Sequence, residues 1–129
     1  LYPQPFVTFD TDNSEDISIY ADRGQMEQVM INLLKNAMEA TASTAMPQIR
    51  CSCKKDNADN AGKAIITVED NGQGILPDVL ERIFVPFFTT KKNGSGIGLS
   101  LCKQIIMNHG GEISIESEDW KGSTVKIRI

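Results

Sequence analysis

Three groups of polar residues and glycines in this 129-residue chain have types and spacings that could do chemistry. The first group is a pair of amides, Asn32 and Asn36, which stand four apart in a stretch with helical periodicity and so share one helix face. The apolar stripe of the same helix passes beside them, which puts both amides at the rim of the core. An amide oxygen can bind Mg²⁺, which keeps most of its waters and takes substrate phosphates as further ligands. Taken alone, two such asparagines are more often ordinary surface residues.

The second group surrounds Asp70. Strand alternation places Asp70 on the same face as Ile66 and Val68, so a carboxylate lies on the apolar side of the strand, at its end. Such burial is costly unless the carboxylate is hydrogen-bonded, and backbone N–H groups of the following turn can serve. A functional interpretation is that Asp70 accepts a hydrogen bond from an exocyclic amine such as that of adenine, while Gly72 and Gly74 let a planar ring approach the backbone. The pattern DxGxG alone is not specific.

The third group is Gly94, Gly96 and Gly98, which lead into a second helical stretch. Glycines leave backbone N–H groups accessible, and a helix N-terminus adds partial positive charge, so the segment suits phosphate. It is not a P-loop, because no Gly-Lys-Ser/Thr follows at the required spacing, and no strand leads directly into it as in a dinucleotide fingerprint. For the glycines alone, a flexible hinge and a phosphate site are equally good interpretations.

The elements that must position these groups follow from periodicity and turn residues. The predicted strands cover 6–9, 17–20, 48–55, 63–69, 112–117 and 123–129, and the predicted helices cover 24 to about 44, a stretch after Pro77, and about 97–108. The irregular segment 84–98 is long for a structureless loop, which hints at function. The pattern predicts an α+β, two-layer α/β sandwich, with about three helices on one face of a mixed, mostly antiparallel sheet of about five strands.

Composition narrows the class of protein. The chain has 13 Lys+Arg against 17 Asp+Glu and a net charge of −4, which argues against a nucleic-acid surface. No apolar run approaches the roughly 20 residues of a membrane helix, and no signal peptide is visible. Cys51, Cys53 and Cys102 match no zinc spacing, so reduced thiols are expected. We expect a single domain over residues 1–129 with a cytoplasmic location.

In this order, the motifs NxxxN, DxGxG, FxPFFTTK and GxGxG resemble the catalytic ATP-binding domain of sensor histidine kinases, in the superfamily that includes gyrase, Hsp90 and MutL. The likeness covers residues 17–129. Residues 28–40 are similar to the family's asparagine box, 70–74 to its first glycine box, 84–91 to its phenylalanine box and 94–98 to its second glycine box.

The resemblance implies the Bergerat fold, with ATP and Mg²⁺ held between the helices and a flexible lid. It makes Asn36 the Mg²⁺ ligand, Asn32 a catalytic neighbour of the phosphates, and Asp70 the residue that reads adenine. The other residues that it brings to the nucleotide are Gly72, Gly74, Lys91, Gly94, Gly96, Gly98 and Leu99. For Lys91, a role near the phosphates and a solvated surface position are equally good interpretations.

Three further residues have roles that stay open. Phe84 would anchor the lid or meet a partner helix. Thr124 matches a family position that often closes the adenine pocket, whereas strand alternation puts it with Lys126 and Arg128 on the polar face. The role of Lys92 is also open.

The residue at position 32 separates mechanisms within the superfamily. Its ATPases place a Glu there as general base, and an amide cannot take that proton. The resemblance therefore favours transfer of the γ-phosphoryl group to a histidine on a separate helical-hairpin dimerisation domain, with a response regulator downstream. That domain is expected to be absent from this chain, because the single histidine, His109, lies at a helix end. We expect a homodimer for the full-length protein and a monomer for this domain.

Two alternatives to a histidine kinase remain. One is a protein serine kinase of the same superfamily that acts on a separate partner. The other is a nucleotide-binding module without transfer activity. The sequence upstream of Leu1 would separate the first alternative from a histidine kinase, and mixing the domain with a histidine-bearing hairpin would test the second.

Overall fold

The part of the chain that the structure describes forms a five-stranded sheet with three helices. The computed structural model describes residues 6–11, 17–56, 63–89, 96 and 98–129. Its elements are β1 (Phe6–Thr11), α1 (Arg23–Ala40), β2 (Gln48–Lys55), β3 (Ala64–Asp70), α2 (Pro77–Leu80), α3 (Gly98–Asn108), β4 (Glu112–Glu118) and β5 (Gly122–Arg128). The predicted α+β class is confirmed.

The sheet has the strand order β1-β2-β3-β5-β4. β1 runs parallel to β2, and the other three pairings are antiparallel, so the sheet is mixed and mostly antiparallel as predicted. β3 is the central strand, and its last residue, Asp70, lies opposite Ile49 of β2 and Ser123 of β5. The candidate carboxylate is therefore flanked by a strand on each side.

The core lies between one face of the sheet and the helices α1 and α3. Its buried members are Val29, Leu33 and Ala37 of α1, Cys102, Ile105 and Ile106 of α3, and Ile49, Cys51, Val68, Ile127 and Ile129 of the sheet and its C-terminal end. The apolar positions of α1 recur every four residues, which makes a single stripe. Because this stripe is buried, the residues beside it on α1 lie at the edge of the core.

The beginning of α1 is tied to the end of α3. The Asp22 carboxylate caps α1 by accepting the Gln25 N–H at 2.8 Å. The Asp22 N–H in turn donates to His109 Nε2 at 3.0 Å, and His109 Nδ1 lies 2.7 Å from the Ile105 carbonyl oxygen. Since Nε2 accepts, Nδ1 is the nitrogen that donates to the Ile105 carbonyl oxygen. His109 thus packs at a helix end, as predicted.

The predicted strand 17–20 is wrong. Ile17 and Ile19 are half-buried and Ser18 and Tyr20 are exposed, so the alternation is real, and Ile19 packs against the core. Within the described ladders, however, β1 is the strand beside β2, and residues 17–20 pair with none of the five strands. Alternation of apolar residues indicates only that one side of a segment is buried. A strand also needs a neighbouring strand, and residues 17–20 have none among the described strands.

Helix α1 ends at Ala40, about four residues earlier than predicted. The Thr41 N–H and hydroxyl both donate to the Ala37 carbonyl oxygen, at 3.1 and 2.9 Å. The Ala40 carbonyl oxygen accepts the Gln73 N–H at 3.2 Å. The Ala37 and Ala40 carbonyl oxygens thus each have a partner outside the helical ladder, the Thr41 hydroxyl and the Gln73 N–H, which satisfies carbonyl groups that the end of the helix leaves without helical donors.

The three cysteines are free thiols, as expected. Burial raises the pKa of Cys51, Cys53 and Cys102 above the ordinary thiol value. Within the described part of the chain, no helix is both long and apolar enough to span a bilayer.

Candidate functional site

Asp70 is half-buried and hydrogen-bonded by the backbone around it. Its Oδ1 accepts the Gly72 N–H at 2.9 Å, and the Ser123 N–H provides a second backbone hydrogen bond. Burial raises the pKa of Asp70 and Glu69 adds to this, while the two N–H groups oppose it. Because a carboxylate has about four lone-pair positions, Asp70 keeps the capacity to accept a hydrogen bond from a ligand amine.

Gly72 and Gly74 are required by the protein's own backbone. A Cβ at Gly72 would overlap the Ala40 carbonyl oxygen at the end of α1, and one at Gly74 would overlap the Glu118 carbonyl oxygen of β4. Gly74 also has φ +73°, a conformation that favours glycine. Both glycines therefore have a packing role, and their contact with a nucleotide stays a prediction.

The loop after Asp70 is held on two sides. On one side the Gln73 N–H donates to Ala40 of α1, and on the other the Gln73 carbonyl oxygen accepts the Trp120 N–H at 2.7 Å. Ile75 N–H donates to Ser117 Oγ, also at 2.7 Å. Asp70, the last residue of β3, is thus followed by a loop that is fixed between the end of α1 and the β4–β5 hairpin.

The two asparagines form one line along α1. Asn32 and Asn36 are both half-buried at the core rim, as predicted, and Ala40 continues the same spacing. At about 1.5 Å per residue, the line is about 12 Å long. Asn32 Nδ2 donates to Cys102 Sγ of α3 at 3.8 Å, while Ala40 contacts the Asp70 loop. The asparagine face therefore connects α3 with Asp70.

The third glycine group is only partly described. Gly98 is the first residue of α3, and among the described residues no heavy atom outside its own helix lies within 4 Å of the position that its Cβ would take. Gly96 has φ +73° and packs against the backbone of Phe87, whose N–H donates to its carbonyl oxygen at 2.9 Å. Leu99 is half-buried against the core. Gly94, Lys91 and Lys92 lie outside the described residues.

Phe84 and Phe87 differ in their surroundings. Phe84 is half-buried, and Lys103 Nζ of α3 lies 5.3 Å from the centroid of its ring. Phe87 is 75% exposed and has φ +68°, which is uncommon for a bulky side chain and marks local strain. Sequence reasoning identified neither the contact of Lys103 nor this backbone conformation, because neither leaves a spacing pattern.

The strand register settles the face of Thr124. Thr124 lies opposite Glu69 and Glu116, on the face away from Asp70, as strand alternation predicts. Its neighbour Ser123 is buried opposite Asp70, and Ser123 Oγ lies 2.9 Å from Ser117 Oγ. Sequence reasoning missed Ser123, although the same alternation that turns Thr124 outward turns Ser123 towards Asp70.

The donor set suits a magnesium ion shared with phosphates. Among the described residues, no group of three or more His, Cys, Asp or Glu side chains is arranged to hold a metal. Mg²⁺ is usually bound by one or two protein oxygens together with substrate phosphates and waters. The half-buried amide of Asn36 fits that mode.

Comparisons with known proteins agree with this architecture. Residues 21–129 match the family described as histidine kinase-, DNA gyrase B- and HSP90-like ATPase. The chain is 42% identical over 109 residues to the sensor histidine kinase ZraS of Salmonella typhimurium, covering 84% of this chain and 22% of that protein. It therefore spans about a fifth of the length of this curated relative.

Solved structures resemble the chain as well. The nucleotide-free catalytic domain of histidine kinase ThkA has a TM-score of 0.81 and 37% identity, covering 97% of this chain and 78% of that one. ThkA in complex with response regulator protein TrrA has a TM-score of 0.74 and 34% identity, covering 97% and 34%. This chain belongs to the family of histidine kinase-, DNA gyrase B- and HSP90-like ATPases.

Proposed function

We propose that residues 1–129 form the catalytic domain of a two-component sensor histidine kinase, which binds ATP with Mg²⁺ and delivers the γ-phosphoryl group to a histidine on a separate helical-hairpin domain. The observation that carries the proposal is the asparagine face of α1. It begins beside α3 at Asn32 and ends at the loop that holds the half-buried Asp70. One ligand with an amine at one end and phosphates at the other matches that arrangement.

In this proposal Asp70 accepts a hydrogen bond from the exocyclic amine of adenine. A guanine carbonyl at that point would face a carboxylate oxygen, so the site favours adenine. Gly72 and Gly74 hold the loop at the adenine end. The phosphates lie toward Asn32, Asn36 and the first turn of α3, where no described residue outside the helix would contact a Cβ at Gly98. The remaining residues assigned to this end are Lys91, Gly94, Gly96 and Leu99.

Phosphoryl transfer needs mainly positioning and charge stabilisation from the protein. The backbone N–H groups at the start of α3 supply partial positive charge to the phosphates. Asn36 would hold Mg²⁺, which neutralises charge on the phosphate oxygens when it is bound. Asn32 presents an amide to the phosphates and cannot act as a general base. The site therefore orients ATP for attack by an external nucleophile and does not activate water.

The partners follow from this mechanism. The acceptor histidine belongs to a two-helix dimerisation domain of the full-length protein, which makes the full-length protein a homodimer and leaves this domain a monomer. The similarity to ThkA, which forms a complex with a response regulator, supports a response regulator downstream of this protein as well. We place the domain in the cytoplasm.

The test mixes this chain with the phosphoacceptor hairpin of its full-length protein, ATP labelled at the γ-phosphate, and Mg²⁺. We expect acid-labile label on the hairpin histidine, no label on His109, and loss of label in the Asn36→Ala variant. Asn108→Ala is the matched control, because Asn108 is an exposed amide on α3 that accepts from Gln104 four residues earlier. Label on His109, or equal transfer by Asn36→Ala and wild type, would contradict the proposal.

A further inference from the structure

The side-chain amide of Asn32 is held from two directions. Gln28 Nε2 donates to Asn32 Oδ1 at 3.2 Å, one helical turn earlier on α1. Asn32 Nδ2 donates to Cys102 Sγ of α3 at 3.8 Å, a contact between residues 70 apart in sequence. Each end of the amide thus has one protein partner.

The thiol of Cys102 also has a defined direction. Cys102 is fully buried, and its S–H donates to the Val29 carbonyl oxygen at 3.9 Å. Because the hydrogen points to Val29, a sulfur lone pair remains for Asn32, which selects the –NH₂ end of the amide. The opposite orientation of Asn32 would turn its –NH₂ group toward the –NH₂ of Gln28 and its oxygen toward a sulfur with no free hydrogen.

We infer that Cys102 and Gln28 are positioning residues that fix the orientation of the Asn32 amide toward the nucleotide phosphates. The inference rests on the proposed role of Asn32 in nucleotide binding. With one N–H given to Cys102 and one lone pair of Oδ1 given to Gln28, Asn32 keeps one N–H and one lone pair for a ligand. A fixed amide loses less conformational entropy when the ligand binds.

The chain offers substitutions that separate this role from simple packing. Cys102→Ala removes the acceptor, and Cys102→Ser keeps a group that can both donate and accept. Cys51→Ala is the matched control, because Cys51 is another buried cysteine of the same core. On the exposed face of α1, where folding is not at risk, Gln28→Ala removes the other partner and Gln25→Ala is its control.

The first measurement is the ¹⁵N order parameter of the Asn32 side-chain –NH₂ group. We expect a value near that of rigid backbone, about 0.85, in wild type, Cys51→Ala and Gln25→Ala, and a value below about 0.6 in Cys102→Ala and Gln28→Ala. Cys102→Ser should restore most of the order. An unchanged order parameter in both Cys102→Ala and Gln28→Ala would overturn the inference.

The second measurement is a double-mutant cycle on the affinity for ATP in the presence of Mg²⁺. Cys102→Ala should weaken binding by about threefold to tenfold, the range for one lost hydrogen bond. In the Asn32→Ala background the same change should add no more than about a twofold effect, because the group being positioned is gone.

The cycle also separates this inference from the proposed function. If Asn32→Ala weakens binding and Cys102→Ala weakens it further by the same factor as in wild type, the positioning role is wrong and the site stands. If Asn32→Ala binds like wild type, the nucleotide role of Asn32 and the positioning role of Cys102 are both overturned.

Discussion

Gly74 and Gly98 belong to two glycine motifs of one candidate site, yet the structure requires them to different degrees. At Gly74 a Cβ would overlap the Glu118 carbonyl oxygen, and φ is +73°. At Gly98 the same atom would meet no described residue outside its own helix within 4 Å. The loop after Asp70 therefore needs glycine for contact of backbone with backbone, whereas no described contact requires glycine at the start of α3.

The polar groups at the two ends differ in the same way. Asp70 is hydrogen-bonded by backbone N–H groups of its own loop and of β5. Asn32 is held by two side chains, Gln28 and Cys102, which come from two helices. The partners of Asp70 at the end proposed for adenine are thus backbone groups, and the partners of Asn32 at the end proposed for phosphate are side chains. Substitutions that disturb the backbone of the loop after Asp70 should change stability, and substitutions of the partners of Asn32 should change affinity.

Gly74→Ala is expected to have the largest effect. The left-handed backbone costs about 1–2 kcal/mol for a residue with a Cβ, and the overlap with Glu118 adds to it. We expect the free energy of unfolding to fall by more than about 3 kcal/mol, measured by urea denaturation. Gly98→Ala should stay within about 0.5 kcal/mol of wild type, because alanine is favoured over glycine in a helix.

For the affinity for ATP, we expect Gly98 to be the sensitive position. Gly98→Ala, although well folded, should bind ATP with Mg²⁺ more weakly, because the added methyl group lies beside the position proposed for the phosphates at the first turn of α3. A stable Gly74→Ala protein, or a Gly98→Ala protein that loses stability and keeps its affinity, would remove the distinction between the two glycines.

Asp70→Asn tests the proposed adenine contact. A hydrogen bond to a charged group contributes about 1.5–3 kcal/mol, so we expect affinity for ATP to fall by about tenfold to a hundredfold in calorimetry. Discrimination against GTP should weaken as well. Glu69→Gln is the control, because Glu69 is exposed and points to the opposite face of the same strand. Wild-type affinity in Asp70→Asn would contradict the role.

In the same variant, Asp70→Asn, we expect the free energy of unfolding to depend differently on pH. Burial raises the pKa of Asp70, so above the ordinary carboxyl value of about 3.9 the folded state holds its proton more tightly than the unfolded state. Wild-type stability due to this group therefore falls as pH rises from there through the raised pKa. Relative to wild type, Asp70→Asn should gain stability across that interval and keep the gain at neutral pH.

Urea denaturation at several pH values between about 3 and 7 measures that difference, with Glu81→Gln as the control for net charge, because Glu81 is exposed and is not among the groups that shift the pKa of Asp70. A stability difference between Asp70→Asn and wild type that shrinks as pH rises would show that the hydrogen bonds from Gly72 and Ser123 outweigh burial.

Periodicity predicts which faces of β3 and α1 carry the residues of this site, but it does not predict the contacts between those residues and other elements. A period of two places Asp70 on the apolar face of β3, and a period of 3.6 places Asn32 and Asn36 at the core rim, as the structure has them. The contact between Asn32 and Cys102 joins residues 70 apart. No local pattern encodes such a pairing, because the packing of α1 against α3 creates it.

The prediction of a strand at residues 17–20 is wrong for a related reason. Its alternation correctly indicated which side chains face the core, but a strand also needs a partner with free backbone groups, and a neighbouring strand is a property of the whole sheet. Ser123, in contrast, could have been predicted from the sequence. The alternation that turns Thr124 away from Asp70 also turns its neighbour Ser123 towards Asp70, where Ser123 is buried.

The smallest expected effect comes from Trp120, which connects the Asp70 loop to the β4–β5 hairpin. Its N–H donates to the Gln73 carbonyl oxygen, its φ is +63°, and its side chain is 75% exposed. If the connection depends on backbone alone, Trp120→Asn keeps the hydrogen bond and relieves strain, because asparagine adopts this conformation more readily. We expect a gain of about 0.5–1 kcal/mol in the free energy of unfolding.

Trp120→Ala is the matched control, because alanine keeps the cost of a Cβ at positive φ and should bring no gain. Loss of stability in both variants would mean that the indole packs against the hairpin, and this end of the site would then depend on a side chain as the other end does.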